Sequence, residues 1–567
     1  MLEKKKLYYI VYPLLISYLP IANLTLSHQK KTTLIALSLI IYYVIFYRIL
    51  FNEKYVKSFY KTINLPGKFW IFVLFFLTYI FQNFFLNFEQ ITWDVPSYLV
   101  ASLDVAQGNL PFKTQWESKG PLLMYVYHIL SEVSQQNYVY FKIINDTFIF
   151  LAAIIIFSVF NRYYKKPNTG VLASLIFILT TSHEWFVSEF SEIYCIPILG
   201  LAYSIYKKKE KKLYDFLNIG ILISVATLIN QGTLIFTIPY FIMLYYDHLK
   251  NKEYKFLYFF IAGLIIPQSL FIVLYYLNDL LDIYFANYIT IPLAYSGSSA
   301  ASFYELSVVL RRFFQYNQFL FYLIISLAFF IFLNIIFTLK QKNFKLLLNI
   351  EFLNFLFGVF FYFIAGHNYA HHLFYIIYFG CFLLVFITKE QEKIIYTFAL
   401  IAFITLSTNI FPKSVENLTN LEAIYEDYPL RQLSEIIEEN FSGNIDILAL
   451  DYVLVLYYLD QTNESYIVHP GNHYEDYIVE TLIKFDKIQT NNFSHVSFLI
   501  EQEPDVILCN PTDIIFGKAV NRDFYNCSID DYKKNYTKID TNFVKNNPAL
   551  SLYKNPYQSI NLYFKDR

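Results

Sequence analysis

Between Trp93 and Tyr125 the chain reads WDVPSYLVASLDVAQGNLPFKTQWESKGPLLMY. Two charged residues in it, Asp94 and Lys119, lie between strongly apolar runs, and ionisable side chains at a membrane edge need a reason to be there. A carboxylate takes a proton from a hydroxyl, and a cation holds an anionic leaving group. The pair therefore suits transfer of a group from a phosphate ester to a hydroxyl. A phosphate leaves without an acid's help, so one base on the far side of the reacting carbon suffices.

Other polar residues could join them. Glu189 and Glu192 fall in HEWFVSEFSEIYCIP (183–197), three apart, which puts them on one face of a short helix. Metal binding, a shared proton and a plain loop marker all stay open for them. Arg311-Arg312 are scarce cations on their side and suit a phosphate. His367, His371 and His372 raise a zinc reading, but adjacent histidines seldom ligate one ion. No cysteine or paired acid joins them at metal spacing, so no metal ligand is assigned and a loop-end polar role is expected. No Asp-x-Asp stands beside Asp94, which leaves dependence on a divalent metal open and no cofactor certain. Asp104 reads as solvated or structural.

These residues must be positioned by membrane elements. Of 567 residues, 56% are hydrophobic and 16% charged. With mean hydropathy +0.39 the chain is too apolar for a soluble protein. The net charge of −1 offers no electrostatic case for nucleic acid. About 13 apolar runs approach the ~20 residues needed to span a bilayer: 7–26, 32–51, 69–88, 138–160, 170–186, 190–206, 215–229, 231–247, 256–277, 319–338, 346–365, 370–388 and 394–410. No signal peptide is invoked. Lysine and arginine crowd one side, in the loops holding Lys4–Lys6, Lys54, Arg162, Lys207–Lys209, Lys250, Lys340 and Lys389. The positive-inside bias then puts the N-terminus in the cytoplasm, and the Asp94 loop, the 278–318 loop and everything after 411 outside. The alternation requires 120–134 to lie on the membrane, with Leu122, Val126, Ile129, Leu130 and Val133 as its apolar stripe.

After 411 the composition turns polar. Ile445–Leu450, Val453–Leu459, Ser465–Val468 and Val506–Cys509 read as strands, and Leu430–Asn440 and Tyr474–Ile488 as helices. The expected fold is thus a polytopic α-helical membrane protein with a small C-terminal α/β domain outside the bilayer. Its divisions are 1–68 (two spans and a cytoplasmic loop), 69–410 (the catalytic bundle, with the active site in the 89–137 loop) and 411–567 (the periplasmic domain). Cys195 and Cys381 read as packing residues; a Cys509–Cys527 disulfide is allowed but not favoured. No P-loop, G-x-G-x-x-G or G-x-S-x-G is present.

The run Asp94, Tyr98, Ala101, Gly108-Asn109-Leu110-Pro111-Phe112 and Trp116-Glu117-Ser118-Lys119-Gly120-Pro121 resembles the first outer loop of GT-C membrane glycosyltransferases. It is similar to that of bacterial relatives of protein O-mannosyltransferases and of the lipid A aminoarabinose transferase. The resemblance implies that Asp94 is the catalytic base and that Lys119 lies near the donor phosphate. It places Glu189 or Glu192, with Glu192 favoured, in the second outer loop. It sets Gly366–His372 in a late loop, where His367 stands in place of a common Arg and His372 in place of a common Tyr. Asn230-Gln231 stands where Lys-Gln is common. Arg311, Arg312 and His371 are the remaining phosphate-side candidates.

The implied protein moves a sugar from a polyprenyl-phosphate donor to a hydroxyl of a glycan, lipid or protein. It would act at the outer face of a bacterial inner membrane, among membrane lipids, with inversion at the anomeric carbon. The rival classes are a transporter or flippase, and a non-catalytic polysaccharide-assembly subunit. A transporter would carry charges at midspan and repeated halves; Lys142 and Asp146 sit near a span end, and no repeat is visible.

Overall fold

A computed structural model describes residues 67–90, 92–187, 189–251, 254–298, 303–340, 349–364, 369–441, 443, 445–491, 495–510, 514–515, 518–519, 535–550 and 560–566. The two spans expected before residue 67 and the expected role of His367 lie outside these residues.

Among the described residues five helices are long and apolar enough to cross a membrane: Gly67–Phe85, Tyr138–Tyr164, Lys255–Tyr276, Gln318–Ile336 and Lys389–Thr419. Shorter apolar helices stand among them, including Pro167–Thr181, Ser191–Tyr206, Leu213–Ile229 and Ile350–Ile364. Large apolar side chains are left uncovered on the spans, such as Phe72 (66% exposed), Leu270 (67%), Phe332 (59%) and Ile404 (53%). Side chains like these want a hydrocarbon solvent, since in water such a surface would drive aggregation.

Between helices there is no hydrophobic gain in lipid, so small residues set the closest contacts. The Leu213–Ile229 and Lys255–Tyr276 helices cross at Gly220 and Gly263. A Cβ on Gly220 would stand 2.2 Å from the Phe260 carbonyl oxygen, and one on Gly263 would stand 2.2 Å from that of Leu217.

The loop after the first described span folds as two helices, Asp94–Ala106 and Pro121–Val133. In the second, Leu123, Met124, Tyr127 and Ser131 face the protein. Of the expected stripe only Ile129 (58% exposed) and Val133 (62%) are uncovered, while Leu122, Val126 and Leu130 are half-buried against the core.

The tail holds a four-stranded sheet in the order Ile447–Ala449, Val506–Cys509, Asn561–Lys565, Tyr536–Ile539. The first pair is parallel (Ile447 opposite Val506) and the others are antiparallel. Pro429–Asn440 is a helix, and the run expected as a helix over 474–488 forms one at Asp476–Lys484. The expected strand at 453–459 is instead the helix Leu454–Tyr458. That stretch is buried on nearly every side, and a short, uniformly apolar run carries no period to separate helix from strand. Ser465–Val468 contributes only a single parallel bridge, Ile467 with Trp116.

The tail has a small apolar cluster of its own around Leu448, Leu450, Val496 and Ile507, and it also shares a larger one with the bundle. The larger cluster runs from Leu74, Phe141 and Phe177 in the bundle to Leu430, Ile447, Val506 and Leu562 in the tail. A carboxylate clasps the joint: Glu89 accepts from the backbone N–H groups of Leu430 (2.7 Å) and Arg431 (3.1 Å) and from the Tyr458 hydroxyl (3.0 Å). These two N–H groups open the Pro429–Asn440 helix, where a negative charge is favoured.

Candidate active site

Asp94 begins the Asp94–Ala106 helix and so gains from the positive end of its dipole. The loop after this helix turns back through Gly108 (φ +79), a left-handed position natural to glycine. Asp104 holds the turn from within. It is fully buried and accepts from Thr114 N (3.0 Å) and Thr114 Oγ1 (2.8 Å), so its role is structural.

The chain then reaches Trp116-Glu117-Ser118-Lys119-Gly120-Pro121, and each residue of this run has a physical reason. Trp116 is fully buried, and its backbone N–H donates to the Tyr466 carbonyl (2.6 Å). Gln231 Nε2 donates to the Ser118 carbonyl (3.0 Å), Asn287 Nδ2 to that of Lys119 (2.7 Å), and Gly120 N to that of Ile229 (3.1 Å). At Gly120 a Cβ would lie 2.1 Å from the Leu228 carbonyl oxygen, so only glycine allows this approach. Pro121 opens the next helix, where its missing N–H costs nothing.

The Trp116–Ile467 bridge anchors the adjoining stretch of the tail. Two residues beyond Ile467, His469 Nε2 lies 3.2 Å from Asp94 Oδ1. The Gly471 N–H donates to His469 Nδ1 (3.1 Å), which leaves Nε2–H to donate to Asp94. Burial works against charge on Asp94, but the His469 hydrogen bond and the charges of His469, His371 and Lys119 hold its carboxyl well below the usual carboxylate range. Burial also opposes charge on His469, yet the hydrogen bond it donates to Asp94 and the charges of Glu117 and Asp94 raise its pKa. Glu117 is buried and its carboxyl is pushed up, chiefly by that burial, with the Asp94 charge adding to it. Its Oε1 accepts from Ser118 N (2.7 Å) and Ser118 Oγ (2.9 Å), while Oε2 has no hydrogen-bond partner.

Glu189 and Glu192 part company. The helix begins at Ser191 after an extended Phe190 (φ −66, ψ 155), so Glu189 and Glu192 do not share a helix face. Glu189 is buried beside Lys142: burial pushes its carboxyl up to about 7, and the Lys142 charge pulls it down. Lys142 in turn donates to the carbonyls of Phe88 (2.5 Å) and Glu89 (3.1 Å). Glu192 accepts from Asn230 Nδ2 (3.1 Å) and Ser191 Oγ (3.2 Å). Glu192 also converges with His371 and His372, ligand atoms of all three lying within 4.8 Å of one another. The spacing along the chain puts no acid beside these histidines; the fold does.

Arg311 and Arg312 are exposed on the Phe303–Tyr316 helix, with the Arg312 guanidinium 5.5 Å from the centre of the Trp185 ring. Asp94, Lys119 and His371 are thus brought together. His469 joins them without any local sequence signal, and Glu117, Gln231 and Asn287 support them.

No family model matches the chain, and no curated protein matches it either. Solved structures do. ArnT from Cupriavidus metallidurans bound to undecaprenyl phosphate aligns at a TM-score of 0.54 and 10% identity, over 79% of this chain and 94% of that one. ArnT in the apo state gives 0.54 and 9% over the same shares. An Archaeoglobus fulgidus oligosaccharyltransferase tethered to an acceptor peptide matches at 0.43 and 11%, over 78% and 69%. The chain has the fold of ArnT.

Proposed function

We propose that this chain transfers a sugar from a polyprenyl-phosphate carrier to a hydroxyl of a glycan, lipid or protein at the outer face of a bacterial inner membrane. One observation carries the reading: Asp94, held ionised at a helix N-terminus, shares a site with the cation Lys119 in a bundle whose fold matches a protein captured with undecaprenyl phosphate. The acceptor oxygen attacks the anomeric carbon, the bond from that carbon to the carrier phosphate breaks, and the acceptor proton passes to Asp94. Lys119 neutralises the departing phosphate. A carboxylate held this far down is a weak base. It suffices because the hydroxyl becomes acidic only as its new bond forms, and an ionised acceptor must then be waiting. A single displacement inverts the anomeric carbon.

Glu192 serves this site and Glu189 the packing beside Lys142. Exposed Arg311 and Arg312 draw in the anionic carrier. Residues 411–567 form an extracytoplasmic α/β domain that lends His469. The uncovered Ile129 and Val133 of Pro121–Val133 support a helix resting on lipid.

The test is Asp94→Asn in the full-length protein, with binding of undecaprenyl phosphate and transfer both measured. Transfer is expected to vanish while folding and carrier binding persist, and Lys119→Ala is expected to weaken carrier binding about tenfold, the worth of one charged hydrogen bond. Normal transfer by Asp94→Asn overturns the reading. Comparing surface glycans of a deletion strain by mass spectrometry then names the missing residue.

A further inference from the structure

From the convergence of Glu192, His371 and His372 we infer a binding site for one divalent transition-metal ion of the zinc class, built into the bundle next to Asp94. The three side chains come from two segments: Glu192 from the first turn of Ser191–Tyr206, and the histidines from the short turn Ala370–Leu373. All are buried, at 1%, 8% and 5% exposure. Their ligand atoms lie within 4.8 Å of one another, whereas donors around a tetrahedral ion with bonds of about 2.0–2.1 Å stand about 3.4 Å apart. Side-chain rotations of about an ångström close that gap.

Two further observations point to an ion. Among the described residues Glu192 has no salt-bridge partner; its carboxylate accepts hydrogen bonds from the neutral donors Ser191 and Asn230, and a buried carboxylate is normally paired with a cation or a metal. The imidazoles are also held in place rather than loose. His371 stacks on Phe190 at 4.1 Å, and His372 meets the Phe361 ring edge-on at 5.4 Å. Asn230 fixes the carboxylate from behind, the way outer partners orient metal ligands.

Two imidazole nitrogens and one carboxylate favour zinc or its first-row neighbours over magnesium or calcium, which prefer all-oxygen sets. Three ligands leave a fourth position for water or a substrate oxygen. His371 acts electrostatically on Asp94, so an ion there adds positive charge to the same site. The site's existence does not depend on the transferase reading, because it is read out by metal content alone.

The experiment uses detergent-solubilised full-length protein, stripped with chelator and titrated with zinc alone. Bound metal is counted by elemental analysis and thermal stability is followed alongside. The expected result is about one zinc per chain and a raised Tm, with both lost in Glu192→Gln and in His372→Ala. Asp94→Asn keeps the zinc, which separates failure of this site from failure of the proposed transfer. Cobalt in place of zinc should show the intense visible bands of a tetrahedral site. Wild-type protein that takes up no zinc, or variants that take it up as wild type does, overturn the inference.

Discussion

His469 reaches Asp94 from 375 positions further along the chain, and the pair is the most consequential contact in the candidate site. Protonating His469 at Nδ1 breaks the cap from Gly471, worth about 1 kcal/mol. Burial opposes that charge too, yet the hydrogen bond to Asp94 and the charges of Glu117 and Asp94 win, and the pKa is raised. The signs then define a window. Asp94 is depressed, so its share of stability is present above its ordinary pKa of about 3.9 and is lost as pH falls through the folded value. His469 is raised, so its share is present below about 6.5 and is lost as pH rises through its folded value. The Tm difference between wild type and His469→Gln is therefore expected to peak between about pH 4 and 6.5. A difference that stays flat across that range would remove the ion pair from the account. Asp94 and Lys119 are legible in the sequence because charge is rare in so apolar a chain. His469 is not, because a contact closed by the fold leaves no spacing to read. The same holds for Glu192 and the two histidines.

At the scale of elements, the run from Trp116 to Pro121 shows why a motif keeps its order. Lys119 carries the charge, but Gly120 decides where that charge stands, since its backbone lies against the end of the Leu213–Ile229 helix. Gly120→Ala puts a methyl group 2.1 Å from the Leu228 oxygen, and backbone cannot move aside as a side-chain tip can. The substitution is expected to cost about 1–3 kcal/mol, the usual penalty of overpacking, and to weaken undecaprenyl phosphate binding along with turnover. Gly380→Ala, where a Cβ meets only side-chain atoms at 3.5 Å or more, is the matched control and should change little. Equal behaviour of the two variants would mean that Lys119 is not positioned through its neighbour. The spans are legible from apolar length, as with 256–277 against the observed Lys255–Tyr276. The stretch at 453–459 misleads because tertiary burial, and not local period, selects helix there.

For the molecule as a whole, the issue is how the tail can contribute a residue to a site at the membrane lip. It can do so because bundle and tail share one apolar core and because Glu89 locks the Pro429–Asn440 helix to the top of the bundle. A tail held this way acts as a fixed wall of the site and not as a detachable lid. Burial pushes the Glu89 carboxyl up to about 7 despite its hydrogen bonds from Leu430, Tyr458 and Arg431. Raising a carboxyl has the opposite sign to depressing one. Stability from Glu89 is present below its ordinary value of about 4.3 and declines as pH rises through about 7, where ionisation in a buried place must be met. Glu89→Gln removes that ionisation but sets an amide N–H against one of the helix N–H groups, a mismatch of about 1–3 kcal/mol at every pH. The Tm deficit of the variant should thus shrink between about pH 4.3 and pH 7. Its turnover should fall, although Glu89 touches neither Asp94 nor Lys119, because a slackened joint moves His469. Hydrogen exchange separates the alternatives: protection lost together over 429–440 and 466–474 means that the wall moved as one piece, whereas loss confined to 429–440 would leave His469 held by the Trp116 bridge alone.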